Sequence, residues 1–380
     1  MVRLLTAYTL EADELEVALA EILEQLDLEN NCLKNSAGFL FCHPDFISTG
    51  VAGGIAEALP FEIVGATTVC NFTHGLSGLT GLTISIMTSD ICEFSAASLA
   101  SCNTAEDVAE IYKTASEGRR ERPSLIFPFA VSALSSGLAV EVLDKLTNGQ
   151  TPLFGSNVVE STADISQSAA LHNGMSICDG SVILVVWGEL NARLIVSEIN
   201  EGSLQEQIAV ITESEGCIIK SINNACPTKY LESMGISGER DSGNLQLLPF
   251  IIDFRDGTKP VARGFYSITD EGYIITNGFV PENSTLAVGY LNSDEVIRVT
   301  DKTFENALAC GKPAGMLIFP CVSHFWILEG SPFKVIQAKV DGVIPYQVFY
   351  SGGEICPIYG SNGKLYNRYH SFTCIACVFE

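Results

Sequence analysis

One short grammar of apolar strand, helix and strand is written three times in this chain. A chain that repeats it has to bury those elements as related α/β units. The first copy runs from an apolar stretch at 38–42 through small residues and an apolar stripe at 46–59 to a second strand-like run at 62–69. The second reads as strand at 124–129, helix at 138–146, strand at 152–159 and a further strand at 181–187. The third has strand patterns at 315–319, 344–350 and 372–379, with a less distinct helix between the first two. In each copy the second strand ends in small polar residues: Gly65, Ala66, Thr67 and Thr68; Gly155, Ser156 and Asn157; Ser351, Gly352, Gly353 and Glu354. Small residues at strand ends let a ligand approach the backbone, so a pocket is predicted where these ends meet, the alternative being that they are turn residues only.

Other stretches fill in the frame. Leu15, Leu19, Ile22, Leu23 and Leu26 recur at helical spacing and predict an amphipathic helix over 12–27. Leu82, Ile84 and Ile86 alternate with Thr83 and Ser85, the period of a strand with one apolar face. Between the second and third copies the pattern becomes strand-rich, with runs at 192–199, 207–211, 217–222, 248–254, 260–264 and 272–275, and Asp256 with Gly257 as a hairpin turn. Glycine and polar residues cluster at 235–243 without periodicity and predict a linker, dividing the chain into 1–238 and 239–380. The fold class that follows is α/β: repeated strand-helix-strand units forming mixed sheets flanked by helices, with a strand-rich middle section.

Composition excludes several classes of partner. A formal charge of -24 repels phosphate backbones and anionic lipid, so neither nucleic acid nor membrane is expected as a partner. No apolar stretch approaches the ~20 residues of a membrane-spanning helix, and the opening residues do not read as a signal peptide. Thirteen cysteines, an odd count, fit free buried thiols in a reducing cytoplasm.

Several segments resemble the FIST family. The segment 211–235, closing with Pro227, Tyr230, Leu231 and Gly235, is similar to the end of the N-terminal half of FIST proteins. Similarity continues through Val261, Ala262, Arg263 and Gly264, through Gly278, Phe279, Val280, Pro281 and Glu282, through 314–321, and through 349–357. Upstream, 65–71 and 152–157 resemble the family's glycine-bearing strand-end elements, so the resemblance covers about residues 37–380. Two departures stand out: Cys70 and Asn71 replace a Gly and Glu of the family, and the Arg expected after Cys321 is missing, with His324 close to its place. The resemblance implies a small-molecule sensory module that binds ligands such as amino acids. No catalysis is expected, and such a chain either passes its signal to a separate signalling protein or acts as a binding protein with no relay, alternatives the sequence leaves open.

Candidate ligand residues follow. Arg263 offers a planar fork that fits a carboxylate, its structural alternative being an internal salt bridge. Glu354, on the bendable Gly352 and Gly353, would face an ammonium group or cap a turn. Thr67, Thr68, Asn71, Ser156 and Asn157 would supply neutral hydrogen bonds, with Tyr350 beside them. His324 could replace the missing cation or hold a haem iron, against the alternative of a core histidine. His43, His74, His172, His324 and His370 show no metal-ligand spacing, so no metal and no cofactor are expected, haem being the exception to test. Cys374 and Cys377 have redox-motif spacing but should point to opposite faces of a strand. Gly50, Gly53 and Gly54 read as helix packing and not as a phosphate loop. The rival readings are a haem or metal gas sensor, an enzyme with a Cys or Thr nucleophile such as Cys70, and a protein-interaction scaffold.

Overall fold

The computed structural model describes residues 1–76, 79–158, 167–200, 208–236, 247–309, 311, 313–329 and 332–380. The three copies found in the sequence form three α/β units with one hydrogen-bonding plan. In each, a central strand has an antiparallel neighbour on one side and a parallel neighbour on the other. Asn35–Cys42 lies between Leu82–Ser89 and Glu62–Thr67. Leu125–Ala130 lies between Ser181–Trp187 and Gly155–Asn157. Gly315–Pro320 lies between Cys374–Phe379 and Tyr346–Phe349. A further strand, Val2–Thr9, Glu93–Leu99 or Ala192–Ser197, pairs with the far side of the antiparallel neighbour.

The parallel neighbour is extended by a strand from another unit. Asn71–Thr73 of the first unit pairs with Tyr346–Phe349 of the third. Gly353–Tyr359 of the third pairs with Gly155–Asn157 of the second, and Ala170–His172 of the second pairs with Glu62–Thr67 of the first. The exchange is cyclic, so each unit completes its sheet with its neighbour's backbone. The small polar residues at 65–68, 155–157 and 351–354 stand where the chain crosses. Gly65 shows why size matters there, since a Cβ would lie 1.7 Å from the Leu40 carbonyl oxygen.

Strand side chains alternate between faces, and each sheet uses both. One face of each packs on its own helices: Leu40, Ile63 and Ile84 on Leu15–Leu26 and Val51–Ala58; Ile126, Ile183 and Val185 on Ala105–Ala115 and Ala133–Leu146; Met316, Ile318 and Ala376 on Ser293–Leu308 and Pro332–Val340. The other faces meet in one shared core. Phe41, Phe129 and Phe319 hold equivalent positions on the three central strands, with ring centroids 5.7, 5.7 and 6.1 Å apart. Phe349 stacks on Phe41 at 4.3 Å and fills the remaining space. Cys374 packs among the helix-facing residues of its strand and Cys377 in the shared core, as their spacing requires.

The helix expected at 12–27 is observed as Leu15–Leu26, but Ala18, Ile22 and Leu26 form its buried row, while Leu15 and Leu23 are 38% and 39% exposed. A small residue at the contact lets the helix approach the sheet, and this rotates the face. Ala105–Ala115 begins at a capping box in which the Thr104 hydroxyl accepts from the Asp107 N–H at 3.2 Å and the Asp107 carboxylate accepts from the Thr104 N–H at 2.8 Å. The polar face of Leu82–Ser89 is buried too, because Gln347 from the third unit donates to Thr83 Oγ1 at 3.1 Å and accepts from Ser85. Gly54 packs against Leu15 and Gly53 against Gly174, whereas Gly50, with φ 82°, precedes the helix Val51–Ala58 and a Cβ there would meet nothing within 4 Å.

The strand-rich middle section closes into a six-stranded barrel, in the order Ala209–Glu215, Ile218–Ile222, Ile274–Thr276, Val261–Ile268, Pro249–Asp253 and Thr285–Val288. Ile211, Ile219, Phe250, Phe265 and Leu286 fill its interior, apart from the shared core. The Asp256 and Gly257 turn joins two of its strands, Gly257 with φ 86°. The predicted linker at 235–243 and the division at 238/239 fall largely on residues outside the described set, as does part of the strand patterns ending at 159 and beginning at 207. Among the described residues no helix is long and apolar enough to cross a membrane.

Candidate functional site

The strand-end residues come together, and most of their polar groups are engaged by crossing backbone or by one another, while among the described residues Asn71 Oδ1 and Glu354 Oε1 are buried without a partner. Thr67, Thr68, Asn71 and Ser156 are each 0% exposed. Thr67 Oγ1 accepts from the Ala169 N–H at 2.9 Å, and Thr68 Oγ1 donates to the Tyr350 carbonyl at 2.8 Å. Asn71 donates to the Gly81 carbonyl at 3.0 Å, while the Ser156 and Ser351 hydroxyls meet at 2.7 Å. The Asn157 carbonyl accepts from Gly352 N–H at 2.9 Å. The Tyr350 ring packs against Phe72 and Phe325. These groups stitch the crossing points of the exchanged strands.

Glu354 is also fully buried, and its carboxyl accepts from the Thr373 N–H at 3.2 Å and the Thr373 hydroxyl at 2.7 Å. Burial raises its pKa above the ordinary carboxyl range, against the lowering effect of the Thr373 bonds. His324 is 1% exposed, its Nε2 lies 3.1 Å from the Phe372 carbonyl and its Nδ1 has no partner among the described residues. Burial lowers its pKa to about 4, which leaves the ring neutral at physiological pH. Burial pushes the Cys70 thiol up to about 12, opposite to what a nucleophilic thiolate requires. Among the described residues no three or more His, Cys, Asp or Glu side chains gather as metal ligands.

Arg263 is placed differently from the other eight candidates. It projects from the barrel strand Val261–Ile268 into a cleft of about 480 Å³ between the barrel, the helix Ala133–Leu146 and the strand Leu365–His370. It is 2% exposed, and its guanidinium is held by backbone carbonyls: Tyr369 O, Ala262 O at 3.3 Å and Phe279 O at 3.4 Å. Among the described residues no carboxylate pairs with it. Burial first, and then repulsion from Arg368, lower its pKa to about 10, against the raising effects of Glu198 and Tyr369, and it is still cationic at neutral pH. Gly278, with φ 102°, clears the space, since a Cβ there would lie 3.0 Å from the Tyr369 ring and 3.4 Å from Arg263 Nε.

The rest of the lining was not singled out from the sequence. Phe254, Phe279, Pro281, Leu138 and Val142 make the cleft apolar, and Arg368, Asn367, Glu141, Asp144 and Lys145 place charge and hydrogen-bonding groups in it. Asn367 is fixed at three points, donating to Asp144 Oδ1 at 2.8 Å and Thr151 O at 2.9 Å and accepting from Leu153 N–H at 2.8 Å. The signal that could have found this wall is the alternation of Tyr366 and Arg368 with Asn367 and Tyr369, a strand carrying aromatic and polar groups on both faces. An apolar cleft with a few convergent polar groups and a perturbed titratable residue has the features of a ligand site.

Comparison with known families matches the FIST N domain over residues 36–225 and the FIST C domain over residues 228–357. No curated protein matches the chain. The barrel strand that carries Arg263 lies in the C-terminal match, and the helix across the cleft lies in the N-terminal one, so both halves build the site. With the two matches together spanning most of its length, the chain belongs to the FIST family.

Proposed function

We propose that the protein is a sensor that captures a small carboxylate-bearing metabolite, an amino acid above all, in the Arg263 cleft. FIST domains are sensory domains of signal transduction, and a sensor needs a ligand site whose occupancy the fold can register. The observation that carries the reading is a buried guanidinium that no carboxylate among the described residues pairs with, in a cleft between the barrel and the α/β units. A ligand carboxylate would supply a paired counter-charge through charge-assisted hydrogen bonds, where Glu198 acts on Arg263 without pairing with it. Ligand sites occur preferentially at such junctions, and a ligand touching helix, barrel and strand at once favours one relative arrangement of the three.

In this reading the protein is a cytoplasmic binding protein without catalytic chemistry of its own, and a separate signalling protein reads the liganded state. Arg263 is the anchor. Thr68, Ser156, Asn157 and Tyr350 join strands of different units, Thr67 binds the crossing strand's backbone, Glu354 and Asn71 bond within their own units, and His324 packs in the third unit as a neutral core histidine.

The test is a thermal-shift screen against amino acids and small organic acids, preceded by an absorption spectrum to detect haem. A ligand at ~100-fold over Kd stabilises by roughly 2.7 kcal/mol, which moves a midpoint by several degrees. A hit that disappears in Arg263→Gln supports the reading. A Soret band in the purified protein, lost in His324→Ala, would replace it with a haem sensor.

A further inference from the structure

Beside Arg263 the cleft carries a second guanidinium on the same aromatic ring. Arg263 Cζ lies 5.4 Å from the centre of the Phe254 ring and Arg368 Cζ 4.9 Å from it. The stack continues outward, with Arg368 5.0 Å from the Tyr366 ring and Lys364 Nζ 4.9 Å from the same ring. Cations and rings thus alternate from the floor of the cleft towards the surface: Arg263, Phe254, Arg368, Tyr366, Lys364. Rings hold cations in place without cancelling their charge.

The charge on this wall is only partly compensated. Asp256 pairs with Arg368, and it is the one carboxylate among the described residues that pairs with a member of the stack. Arg368 Nε is buried without a hydrogen-bond partner among the described residues. The opposite wall, on the helix Ala133–Leu146, has the reverse sign, with Glu141 and Asp144 against Lys145. In a chain of net charge -24, a local excess of cations is a specific feature and not the background.

We infer that the ligand is an acidic amino acid, with two carboxylates and one ammonium group. One carboxylate is held by Arg263 and the other by Arg368, on the two cations that share Phe254, while the ammonium faces Glu141 and Asp144. A ligand with a single carboxylate leaves Arg368 with Asp256 alone, and a ligand without an ammonium leaves the helix wall unmatched. This rests on the carboxylate-anchor reading given above and adds to it the second anionic group and the residue that reads it.

The experiment is calorimetric titration of the full chain, at low salt, with L-glutamate and L-aspartate against L-glutamine and L-asparagine. Each charged and neutral pair has nearly the same shape, so a difference reports the second carboxylate. The native chain should bind an acidic member at least about tenfold more tightly than its amide, the scale of one charge-assisted hydrogen bond. Arg368→Gln should bring the pair to within about twofold, and Asp256→Asn, which frees Arg368, should widen the preference. Unliganded melting midpoints establish that each variant is folded, and if Arg368→Gln is not, Asp256→Asn decides by itself. Equal binding of acid and amide, or a preference unchanged in the folded variants, overturns the inference. If the amides bind equally and Arg263→Gln abolishes all binding, the anchor stands and only the second-carboxylate claim falls. If no member of the panel gives heat, both fall.

Discussion

The hydroxyl of Thr68 donates to the main-chain carbonyl of Tyr350 at 2.8 Å, joining positions 282 residues apart. The bond lies where the first unit's chain leaves its own sheet to extend the third, and Tyr350 N–H returns a bond to the Cys70 carbonyl at 3.1 Å. Removing the hydroxyl without changing shape leaves a buried carbonyl short of a donor, a cost of about 1–3 kcal/mol. Thr68→Val should therefore lower the denaturant midpoint with little change in slope. A midpoint equal to that of the native chain would show that the crossing does not depend on this bond.

Arg263→Gln keeps a polar side chain but removes the cation. Ligand affinity should fall by at least about tenfold, since a hydrogen bond to a charged group contributes about 1.5–3 kcal/mol. Arg263→Lys should recover only part of it, because a point charge cannot reproduce the planar fork. Titration of both variants with whichever compound stabilises the native chain gives the answer.

The raised pKa of Glu354 makes stability depend on pH. Its folded value lies above its unfolded value, so the folded state binds the proton more tightly, and the contribution is fully present below the ordinary carboxyl value of 4.5. It is lost as pH rises through the folded value near 8. Glu354→Gln, an uncharged isostere, should flatten the stability curve between these limits and be more stable than the native chain at the alkaline end. Urea unfolding across that range distinguishes this from an unchanged pH profile.

Phe41, Phe129 and Phe319 form a triangle of rings contributed by three units, so deleting any one opens a void in the same place. Each Phe→Ala change should cost about 3–5 kcal/mol, with similar values at the three positions. A much smaller loss at one position would show that its unit adds little to the shared core.

Thiol reactivity should follow burial. Cys178 is exposed, whereas Cys70, Cys374 and Cys377 are buried with their thiols raised by desolvation. Under native conditions a maleimide should label Cys178 first, and the three buried thiols only as the chain unfolds, as peptide mapping would report.

Much of the architecture can be read from one-dimensional pattern. The recurrence of apolar runs at 38–42, 124–129 and 315–319 marks the three central strands, because strand burial is written locally as alternation and as small residues where backbones cross. Five of the runs in the middle section mark barrel strands for the same reason, whereas the run at 192–199 extends the third unit's sheet and the barrel strand Thr285–Val288 is not among them. The resemblance at 278–282 and 349–357 identifies the family. Arg263 stands out among those residues as a charged group in an apolar run. The cyclic exchange of Asn71–Thr73, Ala170–His172 and Gly353–Tyr359 could not be read, since each strand is too short to carry a period and its partner lies in another unit. For the same reason the polar strand ends looked like a pocket lining. Only the assembled sheets show that Thr67, Thr68, Ser156 and Ser351 satisfy one another and the crossing backbones, while the cleft opens at Arg263, against a wall from Phe254, Asn367 and Arg368. Sequence determines which faces of each element must be buried. Which buried faces meet depends on contacts between residues distant in the chain, and only the tertiary structure decides them.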